Sequence, residues 1–452
     1  MDAPVRALHD ALTGSQEPPA LAVAFSGGRD STVLLHAAVA AREAGLSAGL
    51  RAIHVDHGLH PEAPRWRDHC ATFCAELGVP FMALAVAAGP ARGESPEAAA
   101  RVARYRVLAD ELGSGEWLLT AHHRDDQAET LLLQLLRGSG VAGLAAMPAR
   151  APFATGMLVR PLLDIDRTTL AAYAQRHALT WCEDPSNTAV ERDRNFLRHE
   201  ILPRLAARWP AVATCLGRSA AHCAEANGLL DTLAATDLAA LLVPGRPAEL
   251  PVDSLRGLPA PRLRLLLRHW LATLGLPRPG HRMLARIEHE MLDAAVDRNP
   301  LVTWPGGEVR RYRDALYARA PIAPSNPAPL AWNPAEALHL PWGCLHAVTV
   351  TGSGLAQARL HGQRLTVRRR VGGERLRLPG RRTRPLKKLL QEAGVPPWCR
   401  GRLPLVYVGE ELAAVADLWV ADGFEAADGA LGWRLEWRDS DPFWTPGGDV
   451  SD

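Results

Sequence analysis

Residues 26–31 read SGGRDS, directly after the apolar run LAVAF (residues 21–25) and ahead of TVLLHAAVA (residues 32–40). Gly27 and Gly28 allow backbone dihedrals closed to other residues and let the main chain approach a ligand closely. A helix starting here presents unpaired N–H groups and the positive end of its dipole. Ser26 and Ser31 add hydroxyl donors, and Arg29 lies in the same loop. The loop is an anion cradle, and phosphate suits it best. Asp30 repels phosphate unless it holds Mg²⁺, the hard cation that neutralises phosphate oxygens. The plain alternative is a glycine turn in which Asp30 and Ser31 only cap the helix. Five fixed residue types at a strand–helix junction outweigh that alternative.

A second concentration of chemistry is TAHHRDDQAETLLLQLLRGSG, residues 120–140. Asp126 and Glu129 stand three apart at a helix start and share a face. Helix capping by Asp125 or Asp126, with Glu129 in the first turn, is the structural alternative. His122 and His123 leave the preceding strand on opposite faces, so one of them enters the crevice. Arg101 and Arg104 lie in ARVARY on the helix before. His69, Cys70 and Cys74 share a helix but lack a fourth partner at metal-ligand spacing, and read as packing.

The only lysines in the chain are Lys387 and Lys388, against 49 arginines. A Walker A loop requires GK[ST], so none exists in the first half. Any cation steadying phosphate charge there is arginine or a metal.

The elements that must position these groups alternate. LAVAF, GLRAIHVDH, VPFMALAVA and EWLLTAHH read as strands, each followed by an amphipathic helix. Ser95 and Pro96 mark the start of one of those helices. Such alternation predicts a parallel sheet covered on both faces, with ligands beyond the carboxyl ends of its strands. SGGRDS, HVDHG and AHHRDD all fall at such ends. From about Thr168 the pattern turns helical, with one long helix interrupted at Pro203. A hairpin is expected around Pro305-Gly306-Gly307. PIAPSNPAPLAWNPAE reads as a linker. The expected organisation is a catalytic domain over 1–205, a helical central domain over 206–320, a linker over 321–340 and a small α+β domain over 341–452.

With 452 residues, 47% hydrophobic and 22% charged, the chain suits a multidomain soluble protein. It has no apolar run long enough for a membrane span and no secretory h-region. Seven cysteines without a CxxC pair fit reduced thiols and the cytoplasm. Net charge is +2, yet Arg364–Arg402 carries thirteen basic residues against Glu374 and Glu392. That stretch is +11 and the remainder is −9, which points to a polyanion, nucleic acid first.

SGGRDS has the SGGxDS form of the PP-loop ATP pyrophosphatases. Residues 120–140 resemble the second signature of the tRNA(Ile)-lysidine synthetases within that superfamily. WCEDPSN with Arg194-Asn195, Arg198 and Leu202-Pro203 resembles the end of their catalytic domain. The stretch from Arg375 to Val420 is similar to their C-terminal domain.

The resemblance implies a Rossmann-like PP-loop domain that binds ATP through Ser26–Ser31, with Mg²⁺ on Asp30. It implies ligation of free L-lysine to C2 of the wobble cytidine in a CAU-anticodon tRNA(Ile), giving AMP and pyrophosphate. It assigns adenosine contacts to His54 and Val55, and catalytic roles to Asp30, Arg101 and His122. The lysine amine falls to Asp126 and Glu129, which could hold it and accept its proton. Arg194, Arg198, Arg381, Arg382, Lys387 and Lys388 fall to tRNA phosphates. A homodimer is compatible with all of this. The rival readings are a tRNA thiolase on the same loop and a non-catalytic nucleotide- and RNA-binding module. A thiolase needs sulfur-carrying or cluster-ligating cysteines that this chain does not pair.

Overall fold

In the computed structural model the apolar runs of the first half become strands because helices cover both of their faces. The structure describes residues 1–13, 17–56, 58, 61–86, 96–185, 190–295, 298–321 and 328–439. The chain divides into two units, Met1–Leu230 and Asp231–Asp452. The first unit opens with α1 (Ala3–Leu12), β1 (Ala20–Ala24), α2 (Arg29–Glu43), β2 (Gly49–Asp56), α3 (Ala63–Glu76) and β3 (Phe81–Ala85). It continues with α4 (Pro96–Glu111), β4 (Trp117–Leu119), α5 (Arg124–Leu136), α6 (Val141–Leu144), β5 (Arg150–Phe153) and β6 (Gly156–Val159). Then come α7 (Arg167–Arg176), α8 (Asp193–Phe196), a π-helical turn over Leu197–Ile201, α9 (Leu202–Arg208) and α10 (Val212–Leu241). Pro203 sits in the first turn of α9, where a missing N–H costs nothing.

The sheet order is β3-β2-β1-β4-β6-β5. Every pairing is parallel except that of the edge strand β5 with β6. Strand residues alternate between two cores. Leu21, Val23 and Phe25 face the layer that holds Leu34, Leu35, Phe73 and Tyr173. Ala22, Ile53, Leu118 and Leu158 face Leu108 of α4 and Leu112 just after it. The order reverses at β1, because β2 lies on one side of it and β4 on the other. The carboxyl ends of β1 and β4 therefore open onto one crevice.

The second unit keeps the expected hairpin and adds further strands to the helical middle. It contains a four-stranded antiparallel sheet of β7 (Glu249–Pro251), β8 (Leu301–Trp304), β9 (Gly307–Tyr312) and β10 (Ala315–Arg319), ordered β7-β10-β9-β8. Its helices pack Leu266, Leu267, Trp270 and Ile287 against Val309 and Leu316. The hairpin falls at Pro305-Gly306, with Gly306 at φ +81°. Arg311, 1% exposed, donates from Nη1 to the carbonyls of Met291, Leu292 and Ala294.

The linker expected over 321–340 also contains structure. Leu330–Trp332 pairs with Leu365–Val367, and Leu338–Leu340 pairs with Gly343–Leu345. The prolines around LAW hid a short strand whose Trp332 is buried. These strands belong to the β-rich C-terminal part, whose core includes Leu345, Val367, Leu386, Leu405 and Trp437. Among the described residues, no helix is long and apolar enough to cross a membrane.

Candidate active site

β1 ends at Ala24, and the chain turns at Gly27 with φ +80°. A Cβ there would also lie 2.7 Å from Cys70 Sγ, so glycine is required twice over. α2 then starts at Arg29 with no side chain capping it. Ser31 and Thr32 turn their hydroxyls back onto the Gly28 carbonyl, at 2.8 and 3.0 Å. Ser26 and Ser31 meet at 3.0 Å between their hydroxyl oxygens. Asp30 and Ser31 thus do not cap the helix; the Gly28 amide before it donates to Ser26 Oγ at 3.4 Å, and no side chain caps the turn that follows. This is the geometry of an anion site at a helix N-terminus.

Asp30 does not stand alone. Arg29 donates to its Oδ1 from Nε and Nη2, both at 3.0 Å. His123 Nε2 lies 3.4 Å from its Oδ2. Burial alone would raise the Asp30 carboxyl. The His123 imidazolium and the Arg29 guanidinium outweigh that and hold it at about 2.

His123 is 3% exposed and sits among three carboxylates: Asp30, Asp125 at 3.5 Å and Asp126 at 3.4 Å. Burial would lower its pKa, but contact with Asp125 and Asp30 and the charge of Asp126 raise it to about 9. It is an imidazolium that clamps the start of α5 to the loop after β1. The Asp126 carboxylate in turn accepts from the His123 amide at 3.1 Å.

His122 is the opposite case. Its Nδ1 meets the Thr120 hydroxyl at 2.9 Å. Burial pushes its pKa down to about 3; Asp126 opposes this, and the charges of Arg160, Arg101 and Arg194 add to it. The two histidines thus differ in charge, and His123 stands behind Asp30 as its partner. His122 is a neutral imidazole in a field of arginines.

The pH consequence has a definite sign. His123 is raised from 6.5 to about 9 in the folded state. The stability it contributes is complete below pH 6.5 and is lost as pH rises towards 9. Asp30, lowered from 3.8 to about 2, contributes above pH 3.8 and loses that contribution below it. The thermal midpoint should fall between pH 6.5 and 9, and His123→Gln should flatten that fall. Melting curves at pH 6, 7.5 and 9 for both proteins check this; parallel slopes would contradict it.

The carboxylate pair expected to receive an amine is already occupied. Glu129, with a side chain 1% exposed, accepts from Arg194 Nε at 2.6 Å and from Arg198 Nε at 2.6 Å. Asp126 Oδ1 accepts from Nη2 of both arginines at 3.1 Å. This corrects two expectations. Arg194 and Arg198 turn inward onto α5 instead of outward to RNA phosphates, and Glu129 is not open to a free amine. The reason is complementary spacing. Acids three apart on α5 face arginines four apart, at α8 and the π-helical turn.

Other expectations move as well. His54 is buried, with Nδ1 2.9 Å from the Phe25 carbonyl, so its ring ties β2 to β1 and is not presented to a nucleoside. Burial lowers its pKa, the Phe25 carbonyl opposing. Val55 lies where β2 outruns β1, whose last paired residue is Ala24 opposite Ile53. Arg101 is exposed, with its guanidinium carbon 5.0 Å above the Tyr105 ring. Arg104, half-buried, stands 5.8 Å from the same ring. Arg160, at the carboxyl end of β6, was not anticipated. Its signal was an arginine closing the apolar strand MLVR at a crevice-facing end. His57, Ser95 and Ser186-Asn187 of the WCEDPSN stretch lie outside the described residues.

All seven cysteines are free. Cys70 and Cys182 flank the loop after β1, and the Cys182 amide donates to the Gly27 carbonyl at 2.9 Å. Burial raises both thiols, Cys70 to about 12, so neither is a thiolate nucleophile. No cluster of three His, Cys, Asp or Glu suited to a metal exists among the described residues.

Five of the thirteen basic residues in the Arg364–Arg402 stretch of the second unit are ion-paired internally. Arg368 pairs with Glu410, Arg370 with Glu374, Arg377 with Asp422, Arg384 with Glu392 and Arg402 with Asp439. Arg381, Arg382, Lys387 and Lys388 remain exposed, with no ion pair among the described residues. Lys387 and Lys388 project from the helix Leu386–Glu392 while Leu386, Leu389 and Leu390 anchor it.

Three family models match the chain. A PP-loop domain covers residues 2–205, a TilS substrate binding domain residues 250–317, and a TilS substrate C-terminal domain residues 365–437. The tRNA(Ile)-lysidine synthase of Methylococcus capsulatus is 47% identical over 419 residues, 92% of this chain and 95% of its own. The chain belongs to the tRNA(Ile)-lysidine synthase family. The synthase of Alkalilimnicola ehrlichii is 47% identical over 413 residues, 90% of this chain and 91% of its own. That of Coxiella burnetii is 43% identical over 419 residues, 92% of each. Membership in this family of synthases removes the thiolase and the non-catalytic module as readings of the whole chain.

Proposed function

We propose that this chain ligates free L-lysine to C2 of the wobble cytidine of a CAU-anticodon tRNA(Ile), consuming ATP to AMP and pyrophosphate. The observation that carries the site reading is the uncapped start of α2 beside an ionised Asp30, facing the histidines that follow β4. ATP lies along Gly27–Ser31, with adenosine towards the open edge of β2 at Val55. Cytosine O2 attacks the α-phosphorus; the O2–P bond forms, the bond to the β-phosphate oxygen breaks, and pyrophosphate leaves. The amide groups at the start of α2 and the guanidinium of Arg101 stabilise the growing charge. Asp30, with one ionised carboxylate partly open, fits a magnesium ion that arrives with the triphosphate. Such an ion would supply charge neutralisation at phosphate oxygens.

In the second step the lysine ε-nitrogen attacks C2, the C2–O bond breaks, and AMP leaves with the electron pair. A free ε-ammonium has a pKa of about 10.4 and must lose a proton first. The nearby groups are poor bases. Asp30 is near 2, His122 near 3 and His123 is already protonated, while Asp126 is held below its usual range by His123 and Arg194 against burial. We therefore assign amine activation to the cationic surroundings, which disfavour an ammonium, so that its proton passes to solvent water as the amine enters. Arg194, 35% exposed, is the guanidinium that an incoming amine can most readily displace from Asp126. The exposed Arg381, Arg382, Lys387 and Lys388 fit phosphates of the tRNA, and a reduced cytoplasm fits seven free thiols.

The test is incorporation of labelled lysine into tRNA(Ile) transcript with ATP. One AMP and one pyrophosphate should form per lysine. Production of ADP and orthophosphate instead would overturn the proposal.

A further inference from the structure

Arg160 is a charge without a counter-charge. It is 7% exposed and makes no ion pair among the described residues. Its Nη1 donates to the Pro148 carbonyl at 2.7 Å, and its own amide to the Ala149 carbonyl at 2.8 Å. The Tyr105 phenol lies beside the guanidinium. Its Nε is out of solvent and has no partner. A buried guanidinium left with one carbonyl, one phenol and an idle donor is costly. Burial pushes its proton affinity down, Tyr105 opposing and Arg101 adding. A ligand oxyanion would remove that cost.

Its place in the fold narrows which oxyanion. β4 stands between β1 and β6, so the end of β6 lies two strand spacings, about 10 Å, from the phosphate loop. Arg160 is thus on the far side of His122 from the triphosphate. His122 feels Asp126 and Arg160 with opposite sign. His122, which follows β4, thus lies within the fields of both a carboxylate and a guanidinium. Free lysine carries an amine and a carboxylate separated by a flexible methylene chain. A buried, forked donor suits a small carboxylate, which can enter where a polymer backbone cannot.

We propose that Arg160 binds the α-carboxylate of the free lysine substrate. This rests on the ligase reading above. It makes Arg160 the residue that distinguishes lysine from a plain diamine.

The experiment compares lysine with 1,5-diaminopentane, the same chain without its carboxylate, as acceptor in the full-length wild type, Arg160→Gln and Arg160→Lys. Wild type should prefer lysine in kcat/KM by roughly 10- to 100-fold, the range for losing charge-assisted hydrogen bonds to one group. Arg160→Gln should lose that preference through the KM for lysine, while lysine-independent adenylation of tRNA stays within about twofold. Arg160→Lys, which keeps the charge without the fork, should recover part of the preference and covers the case in which Arg160→Gln does not fold. Retention of the full preference by Arg160→Gln, or by Arg160→Lys where Arg160→Gln does not fold, overturns the assignment while leaving the ligase reading intact. A loss that falls on the KM for ATP or tRNA instead means the oxyanion is a phosphate, and overturns it equally. Failure of the wild type to incorporate lysine at all overturns both.

Discussion

Asp30→Ala should abolish tRNA-dependent release of pyrophosphate, by about 10³-fold or more in kcat, and still leave a folded protein. The catalytic loss follows from what surrounds Asp30. Its carboxylate is the one acid at the mouth of α2, it is fully ionised at neutral pH, and Arg29 and His123 fix its orientation. No other carboxylate stands in the loop from Ser26 to Ser31. Asp30→Asn keeps the shape and loses the charge, so it should fail as badly. The stability effect should be small, within about 1–2 kcal/mol. His123 retains Asp125 and Asp126 when Asp30 is removed, and Arg29 has a side chain 20% exposed and can turn to water. Labelled ATP, tRNA transcript and a melting curve on the same preparation separate the two effects. Pyrophosphate release at the wild-type rate would place the chemistry away from the start of α2.

The same variant should leave the RNA contacts proposed for the second unit untouched. Lys387 and Lys388 lie on a helix anchored by Leu386, Leu389 and Leu390, in a core that contains no residue of the first unit. Affinity for tRNA measured without ATP should therefore match the wild type.

The parallel sheet was legible in the sequence because its signals are local. LAVAF, HVDHG and AHHRDD each join an apolar run to a polar turn, and period-two burial on β1 splits Leu21 and Val23 from Ala22 as alternation requires. Gly27 was legible as a conformational requirement, though its second constraint, Cys70 from α3, is a tertiary contact that no local pattern carries. The short strands of the second unit were not legible. ELP and LAW are three residues each, flanked by prolines, and acquire strand character only from partners some 65 and 35 residues away. The roles of charged residues were the least legible. Residue type singled out Arg194, Arg198, Asp126 and Glu129, but not that they pair with one another, and pairing is set by packing. The arginine-rich stretch from Arg364 to Arg402 shows the same thing: five of its arginines are neutralised by acids, three of which lie outside the stretch, at Glu410, Asp422 and Asp439.

Glu129→Ala should cost about 3–5 kcal/mol of stability, the range for breaking a buried ion pair from one side. Glu129 is fully buried and bonded to two guanidinia, and removing it leaves both to share Asp126. In a unit of this size that corresponds to a fall of roughly 10–15 °C in the thermal midpoint. Arg198→Ala should cost nearly as much, because its side chain is 19% exposed and it makes two of the Glu129 contacts. Arg194→Ala should cost less, since that side chain is 35% exposed and water can replace part of what is lost. The double variant Glu129→Leu with Arg198→Leu should recover part of the loss, because it leaves fewer charges unpaired than either single truncation. These losses should also reach the chemistry. Arg198 holds Asp126 Oδ1, while the His123 amide holds Oδ2, so losing Arg198 should loosen Asp126 and raise the KM for lysine more than that for ATP. A wild-type melting temperature for Glu129→Ala would mean that the cluster of α5 and α8 does not fix Asp126, and that the lysine end of the crevice is organised by other groups.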